Sequence, residues 1–234
     1  MTVDVRPAGS RFHTQLDWLD SWHSFSFSSH YDPANTHHGL LLVNNDDLIR
    51  AGRGFGTHSH RDMEIVTWVL DGELEHRDST GTVGIIYPGL AQRMSAGSGI
   101  QHSETNASAT ADLHLVQMWV LPDTEGIDPG YEQHDVSDAL AGGGLVTVAS
   151  GDPAKGGVSI HQREAELLAG RLSPGVAVAV PAAPHVHVFV AVGSADLDGA
   201  GALSTGDAVR LTEEGARTLT AGPEGCEVLV WATA

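Results

Sequence analysis

Residues 67–81 read TWVLDGELEHRDSTG, and the pattern in this stretch decides the fold. An apolar run leads into a turn at Gly72, after which polar and apolar residues alternate, as is typical of two strands joined by a tight turn. Residues 188–201, VFVAVGSADLDGAG, repeat this order around Gly193. We interpret the repeat as two tandem copies of one small β-barrel.

Short strand-like runs fill the rest of the chain, and helical periodicity is almost absent. Examples bounded by turn-forming residues are GLLLV (39–43), HLVQMWVL (114–121) and EVLVWA (227–232). Many short strands at this spacing predict an all-β protein. One short helix is expected near Gln162–Leu168, and a linker between the two copies near His134–Gly144.

The composition excludes several classes of protein. The net charge is −18 and Lys155 is the only lysine, so direct binding to nucleic acid is not expected. Cys226 is the only cysteine, which rules out an intrachain disulfide. No apolar run is long enough to span a bilayer, and the N-terminus lacks a secretory pattern. We therefore expect a cytoplasmic protein without membrane contact.

Two pairs of potential metal ligands stand out, His58 with His60 and His102 with Glu104, each with one residue between its members. Residues two apart on a strand point to the same side, so neighbouring strands could bring all four together. Three imidazoles and one carboxylate suit a divalent transition metal with positions left open for substrate. Spacing alone leaves Glu64 open as the carboxylate ligand, since on a regular strand it would share the face of His58.

Other histidines are weaker candidates for a metal site. His185 and His187 also stand two apart, but His187 lies much closer to Gly193 than His60 lies to Gly72. They therefore correspond to the strand after the ligand motif, and a second metal site is not expected.

Four stretches of the chain together resemble the pirin family of the cupin superfamily, and especially its bacterial pirin-like quercetin 2,3-dioxygenases. These stretches are GRGFGTHSHRDMEIVTWVLDGELEHRDSTG (52–81), RMSAGSGIQHSETN (93–106), LHLVQMWV (113–120) and WHSFSF (22–27). The matching motifs are dense over residues 10–132. In the C-terminal half the chain resembles the family in its general layout more than in its motifs.

The resemblance implies an all-β bicupin, made of two tandem antiparallel, jelly-roll-like barrels with few short helices. It implies a metal-binding cupin domain at residues 1–133 and a degenerate cupin domain without metal at residues 134–234. The family's ligands fall on four residues of this chain, namely His58, His60, His102 and Glu104.

Glu104 is expected to be catalytic as well as a ligand, because it could receive the proton of a substrate hydroxyl. Glu64 and His114 are then candidates for contacting a ligand imidazole or the substrate, not the metal itself. The expected cofactor is one divalent transition metal, Fe(II) first, with Ni, Cu, Co, Mn and Zn as alternatives.

The implied function is a metal-dependent dioxygenase that opens a flavonol ring, with a small aromatic substrate and O2 as its partners. The alternative is an iron-binding, redox-sensitive regulatory protein that contacts a transcription factor or a metabolic enzyme. An isomerase-like cupin, whose metal acts only as a Lewis acid, is a third interpretation.

Overall fold

A computed structural model describes all 234 residues, and almost all of its regular structure is β-strand. The strands up to residue 135 are β1 (Thr2–Arg6), β2 (Phe12–Gln15), β3 (Leu19–His23), β4 (Leu41–Ile49), β5 (Gly54–His60), β6 (Glu64–Asp71), β7 (Leu74–Asp78), β8 (Val83–Ile86), β9 (Leu90–Ser95), β10 (Ile100–Asn106), β11 (Leu113–Val120) and β12 (Gly130–Asp135). The later strands are β13 (Val146–Ser150), β14 (Val158–Ser159), β15 (Ala165–Leu172), β16 (Ala177–Val180), β17 (Ala183–Leu197), β18 (Gly201–Ser204), β19 (Ala208–Glu214) and β20 (Arg217–Thr233).

Two sheets form the N-terminal barrel. One has the order β12-β9-β6-β11-β4-β3-β2, and the other has the order β5-β10-β7-β8. The C-terminal barrel is built from one nine-stranded sheet in the order β1-β19-β17-β20-β15-β13-β14, with β16 on β20 and β18 on β17. The all-β architecture with two antiparallel barrels is therefore confirmed.

The internal repeat is also visible in the strand topology. In the N-terminal barrel β7 pairs with β8 and β9 returns to β6, while in the C-terminal barrel the end of β17 pairs with β18 and β19 returns to β17. Gly72 and Gly193, at matching places, have φ values of 85° and 81°. This left-handed conformation favours glycine, which explains its presence at both positions.

The chain departs from the simple division at residue 133 in two ways. Strand β1 pairs with β19, so the first residues of the chain belong to the sheet of the C-terminal barrel. Strand β12 continues to Asp135 and pairs with β9, so the N-terminal barrel extends past the expected boundary. Local sequence pattern predicts strands but does not say which sheet a terminal strand joins.

The one α-helix, α1 (Ser137–Leu140), lies in the expected linker. The helix expected near Gln162–Leu168 is wrong, because β15 covers most of that segment and pairs with β13 and β20. Partners on both sides outweigh the helical preference of its Glu and Leu residues. No helix in the structure is both long and apolar enough to cross a membrane.

The largest hydrophobic cluster joins the two barrels. Trp68 of the N-terminal barrel and Trp231 of the C-terminal barrel are both buried in the same cluster of 22 residues. Trp68 donates a hydrogen bond from Nε1 to Glu227 Oε1 at 2.7 Å, and Trp231 Nε1 lies 3.2 Å from Met118 Sδ. Burial of these apolar side chains across the interface holds the two barrels against each other.

Candidate metal centre

Three imidazoles gather inside the N-terminal barrel. His58 and His60 lie on β5, and His102 lies on the neighbouring antiparallel strand β10, directly opposite His58. Their ring nitrogens lie within 4.8 Å of one another. The alternation of side chains along β5 places His58 and His60 on one face, and the register of β10 supplies the third ring.

Glu104 joins this group through His102. A bulge in the pairing of β5 with β10 lies between His102 and Glu104. The Glu104 carboxylate is within 4.8 Å of the ligand atoms of His102 and His76, and it accepts a hydrogen bond from Gln117 Nε2 at 2.9 Å. Burial raises the pKa of Glu104, and the bond from Gln117 opposes that shift. The site therefore offers three imidazoles and a carboxylate held by an amide.

The environment keeps two of these imidazoles neutral. Burial, together with the charge of His58, lowers the pKa of His60 to about 4. Burial and three neighbouring imidazoles, those of His58, His60 and His76, lower the pKa of His102 to about 3. Neutral imidazoles have a free lone pair, which is the form that binds a metal.

One nitrogen in the cluster tests whether a metal fits. His102 Nε2 is buried and has no hydrogen-bond partner in the protein. Leaving a buried polar atom unpaired costs about 1–3 kcal/mol, so such atoms are rare without a reason. A divalent transition metal would pair with this nitrogen, and the imidazole and carboxylate donors around it are of the type such metals prefer. The residues fit a metal.

His76 and Asp78 extend the cluster, and neither was predicted from the sequence. They lie on β7, which pairs with β10 so that His76 is opposite Glu104 and Asp78 is opposite His102. Both side chains are fully buried, and His76 Nε2 lies 3.0 Å from Asp78 Oδ2. The one-residue spacing of His76 and Asp78 on an alternating strand is the same signal that identified the ligand pairs, and it could have found them.

The hydrogen bonds of His76 determine which nitrogen of His102 is left free to bind a metal. Burial acts to raise the pKa of Asp78, but hydrogen bonds from Thr80 and His76 outweigh it and the pKa lies below its usual value. Ionised Asp78 only accepts hydrogen bonds, so His76 donates to it from Nε2, and in that tautomer Nδ1 is an acceptor. His102 Nδ1 lies 3.5 Å from that acceptor. His102 then carries its proton on Nδ1, which leaves the lone pair of Nε2 for a metal.

Glu64 is not brought to the cluster. Its buried carboxylate accepts hydrogen bonds from Ser95 Oγ at 2.9 Å and from the backbone N–H of His161 at 3.0 Å, at the interface between the barrels. The expected shared face with His58 required one continuous strand. A turn with Asp62 at a φ of 48° separates β5 from β6 instead, so the alternation of β5 does not continue to Glu64.

His114 also lies away from the cluster. Its Nε2 is 2.6 Å from Asp46 Oδ1. Gln117 and Trp119 of the same strand line the interior cavity, and His114 has the opposite parity on β11, so it points to the other face. Neither Glu64 nor His114 forms a hydrogen bond with a residue of the ligand set.

His185 and His187 lie in the C-terminal barrel as expected. His185 Nδ1 lies 2.9 Å from the carbonyl of Ala234, and His187 is buried beside the ring of Phe25. The two groups of three ligand-type side chains with converging donor atoms are both in the N-terminal barrel.

A cavity of about 430 Å³ opens onto the cluster. Its walls include the metal-ligand candidates His58, His60 and Glu104 together with the aromatic side chains Trp18, Phe27, Phe55 and Trp119. This volume and the aromatic side chains in its walls suit a small aromatic molecule.

Comparison with known proteins assigns the family. Residues 5–120 match the Pirin family model, and residues 147–231 match the model of the quercetinase C-terminal cupin domain. A Mycobacterium tuberculosis protein is 57% identical over 231 residues, which cover 98% of this chain and 94% of that protein. The chain belongs to the pirin family.

The quercetin 2,3-dioxygenase of Escherichia coli K12 is 42% identical to this pirin over 231 residues, covering 98% of this chain and 97% of the relative. The Mycobacterium tuberculosis relative carries the same enzyme name in provisional form. The crystal structure of the E. coli bacterial pirin YhhW in complex with nickel(II) has a TM-score of 0.90 and 40% identity, and covers 98% of both chains. These similarities confirm the bicupin fold that the sequence resemblance implied.

Proposed function

We propose that this pirin is a metal-dependent dioxygenase that opens the ring of a flavonol with O2. The observation that carries the proposal is the convergence of His58, His60 and His102 within 4.8 Å at the wall of a cavity with aromatic sides. The enzyme name of the E. coli relative and the nickel(II) complex of the E. coli pirin support the same reaction and the same kind of site.

The proposed ligands are His58, His60, His102 and Glu104, all in the N-terminal barrel, and no metal is assigned to the C-terminal barrel. A bound divalent transition metal would stabilise a substrate oxyanion and supply redox chemistry towards O2. Fe(II) is the proposed metal, and nickel is the first alternative because the E. coli pirin binds it.

Glu104 is the proposed proton acceptor for the substrate hydroxyl. In the metal-free protein burial raises the pKa of Glu104, so the surroundings of this carboxylate favour proton uptake. Gln117 holds the carboxylate through its Nε2 and is itself fixed by a hydrogen bond from Trp119 Nε1 to its Oε1 at 3.0 Å. The proton is therefore accepted at a carboxylate whose position is set by two further side chains.

The test is turnover after defined metal loading. Metal-free protein is loaded anaerobically and separately with Fe(II), Ni(II), Co(II), Cu(II), Mn(II) and Zn(II), then given quercetin and O2. Loss of flavonol absorbance with stoichiometric O2 uptake and carbon monoxide release in at least one loaded form is expected. Absence of flavonol consumption in every form would overturn the proposed substrate.

The alternative, a redox-sensitive regulatory protein, is favoured only by the surface charge. A net charge of −18 suits contact with a basic protein surface. Its test is a pull-down with Fe(II)-loaded and Fe(III)-loaded Glu104→Gln protein, in which turnover is expected to be blocked. A partner retained by one iron state alone would support regulation, and identical retention would exclude it.

A further inference from the structure

One wall of the cavity is polar, and four neighbouring strands build it. Gln117 on β11 is opposite Asn45 on β4, which is opposite His23 on β3. A second row, one step along the strands, has Asp47 on β4 opposite Ser21 on β3, which is opposite Thr14 on β2. All six side chains line the same cavity as the metal-ligand candidates.

Hydrogen bonds satisfy most of this wall internally. His23 Nδ1 lies 2.8 Å from Asn45 Oδ1, so this nitrogen donates and His23 Nε2 accepts. Thr14 Oγ1 is 2.9 Å from that Nε2 and donates to it. Thr14 Oγ1 in turn lies 3.1 Å from His30 Nε2, which supplies its own donor. The neutral members therefore hold one another in fixed orientations.

Asp47 is the exception. It is 3% exposed, and its Oδ1 accepts a hydrogen bond from the Ser21 hydroxyl, but the protein supplies Oδ2 with no donor. Burial raises the pKa of Asp47 to about 7 despite the bond from Ser21, and the nearby carboxylates of Asp46 and Glu104 act in the same direction. Oδ2 is not enclosed by the protein, so it is open to the cavity, where a donor on a ligand can reach it.

The position of Asp47 relative to Glu104 sets the size of the molecule that could reach both. Gln117 on β11 donates to Glu104, and Asp47 and Ser21 lie one and two strands beyond β11. Neighbouring strands are about 5 Å apart, so the polar wall extends roughly 5–10 Å beyond Gln117, the residue that donates to Glu104. Trp18 and Phe55 lie on the same cavity with their rings in edge contact, 5.2 Å between centroids, and provide an apolar wall.

We propose that the wall formed by Asp47, Ser21 and His23 is a substrate subsite that binds a phenolic hydroxyl on the ring remote from the metal-chelating group. The ligand class is a multi-ring, polyhydroxylated aromatic molecule. The phenolic hydroxyl donates to Asp47 Oδ2 and supplies the hydrogen bond that the protein lacks. This subsite rests on the proposed function, because it assumes that the chelating end of the substrate lies at His58, His60, His102 and Glu104.

The test compares flavonols that share the chelating group but differ in remote hydroxyls. Nickel(II)-loaded protein is titrated without O2 against 3-hydroxyflavone, which has no other hydroxyl, and against quercetin, and the two Kd values are compared. At pH 8, where Asp47 is mostly ionised, quercetin is expected to bind the wild-type protein at least about tenfold more tightly, which corresponds to one hydrogen bond to a charged group. Equal affinity of the wild-type protein for the two flavonols would overturn the subsite.

Variants identify the residue responsible. Asp47→Ala is expected to lower the ratio of the two affinities by about tenfold. Asp46→Asn is the matched control, because Asp46 is the adjacent buried acid on β4 and its bonds go to Arg11 and His114, away from the polar wall. The control is expected to keep the wild-type ratio. A ratio that falls equally in both variants, or in neither, would overturn the assignment to Asp47.

The outcomes also separate the subsite from the proposed reaction. Selective binding of quercetin without O2 consumption in any loaded form would support the subsite and overturn the oxidative function. Turnover that is indifferent to remote hydroxyls would overturn the subsite alone, and failure to bind either flavonol would overturn both. If Asp47→Ala does not fold, the wild-type comparison decides whether the subsite exists, and Ser21→Ala, which removes the donor to Oδ1, replaces it as the variant.

Discussion

His102 Nδ1 lies 3.5 Å from His76 Nδ1, and His76 Nε2 lies 3.0 Å from Asp78 Oδ2. The Asp78 carboxylate on β7 thus fixes the tautomer of His76, and His76 in turn fixes the tautomer of His102. The arrangement adds one imidazole ring to the common carboxylate–histidine–metal pattern. Such outer partners raise the affinity of the site for its metal without contacting the metal.

Asp78→Asn is expected to weaken metal binding by about 10- to 100-fold. The amide can present an N–H to His76 Nε2, which would move the His76 proton to Nδ1 and set it against the proton of His102. Competition with a chromophoric chelator measures the metal affinity. The control is Asp46→Asn, which changes another His–Asp pair in the same barrel. An equal loss of metal affinity in both variants would contradict a role for the relay.

Glu104→Gln is expected to lower kcat by about 10²- to 10⁴-fold, the usual contribution of a proton acceptor, while the three imidazoles retain metal. Steady-state flavonol consumption and metal analysis of the same sample make the measurement. Glu64→Gln is the control, since its carboxylate contacts Ser95 and His161 at the interface between the barrels. Near-wild-type kcat in Glu104→Gln would remove Glu104 from proton transfer.

Asp47→Asn is expected to stabilise the metal-free protein at pH 8. The pKa of Asp47 is about 7 in the folded protein, above its ordinary value of 3.8. Between these two pH values the folded state therefore keeps a proton that the unfolded chain has lost. Stability therefore falls as pH rises through this window, and the full loss, on the order of a few kcal/mol, is present above pH 7. Urea unfolding at pH 4 and pH 8 measures it, and a stabilisation that does not grow with pH would contradict the buried carboxyl.

Asp46→Asn is the opposite case on the same strand. Burial alone would raise the pKa of Asp46, but His114 and Arg11 outweigh it and the pKa is lowered. The ionised carboxylate then contributes stability that is present above pH 3.8 and lost as pH falls through the folded pKa. We expect Asp46→Asn to destabilise at pH 8, with an effect that shrinks in acid. Stabilisation at pH 8 would contradict this assignment.

The shared core predicts that the two barrels unfold together. Trp68→Ala is expected to lower the free energy of unfolding by about 3–5 kcal/mol, since it removes a fully buried ring and a hydrogen bond to Glu227. Calorimetry should show a single transition that moves to lower temperature as a whole. A transition that splits, with one part unmoved, would mean that the barrels are independently stable.

Strand alternation explains how far the site could be predicted from the sequence. His58, His60 and His102 could be grouped because each lies within a regular strand and the pairs share a spacing. The same rule misplaced Glu64, because a positive φ at Asp62 interrupts the strand and local pattern did not reveal that turn. His114 was misplaced because the faces of β11 can be assigned only once its neighbours are known.

Long-range pairing accounts for what the sequence did not reveal about the fold. The register that puts His76 opposite Glu104 depends on how β7 and β10 meet, and no local signal specifies it. The pairing of β1 with β19 joins residues about 200 positions apart, so it lies outside any periodicity argument. The repeat around Gly72 and Gly193 was visible because turn chemistry is local.

The most direct test of the metal centre is an anomalous difference map from crystals of the nickel(II)-loaded protein, measured on both sides of the nickel edge. One peak per chain is expected, within bonding distance of His102 Nε2 and of ligand atoms from His58, His60 and Glu104. A main peak among other residues, or none at the three imidazoles despite bound nickel in solution, would contradict the assignment.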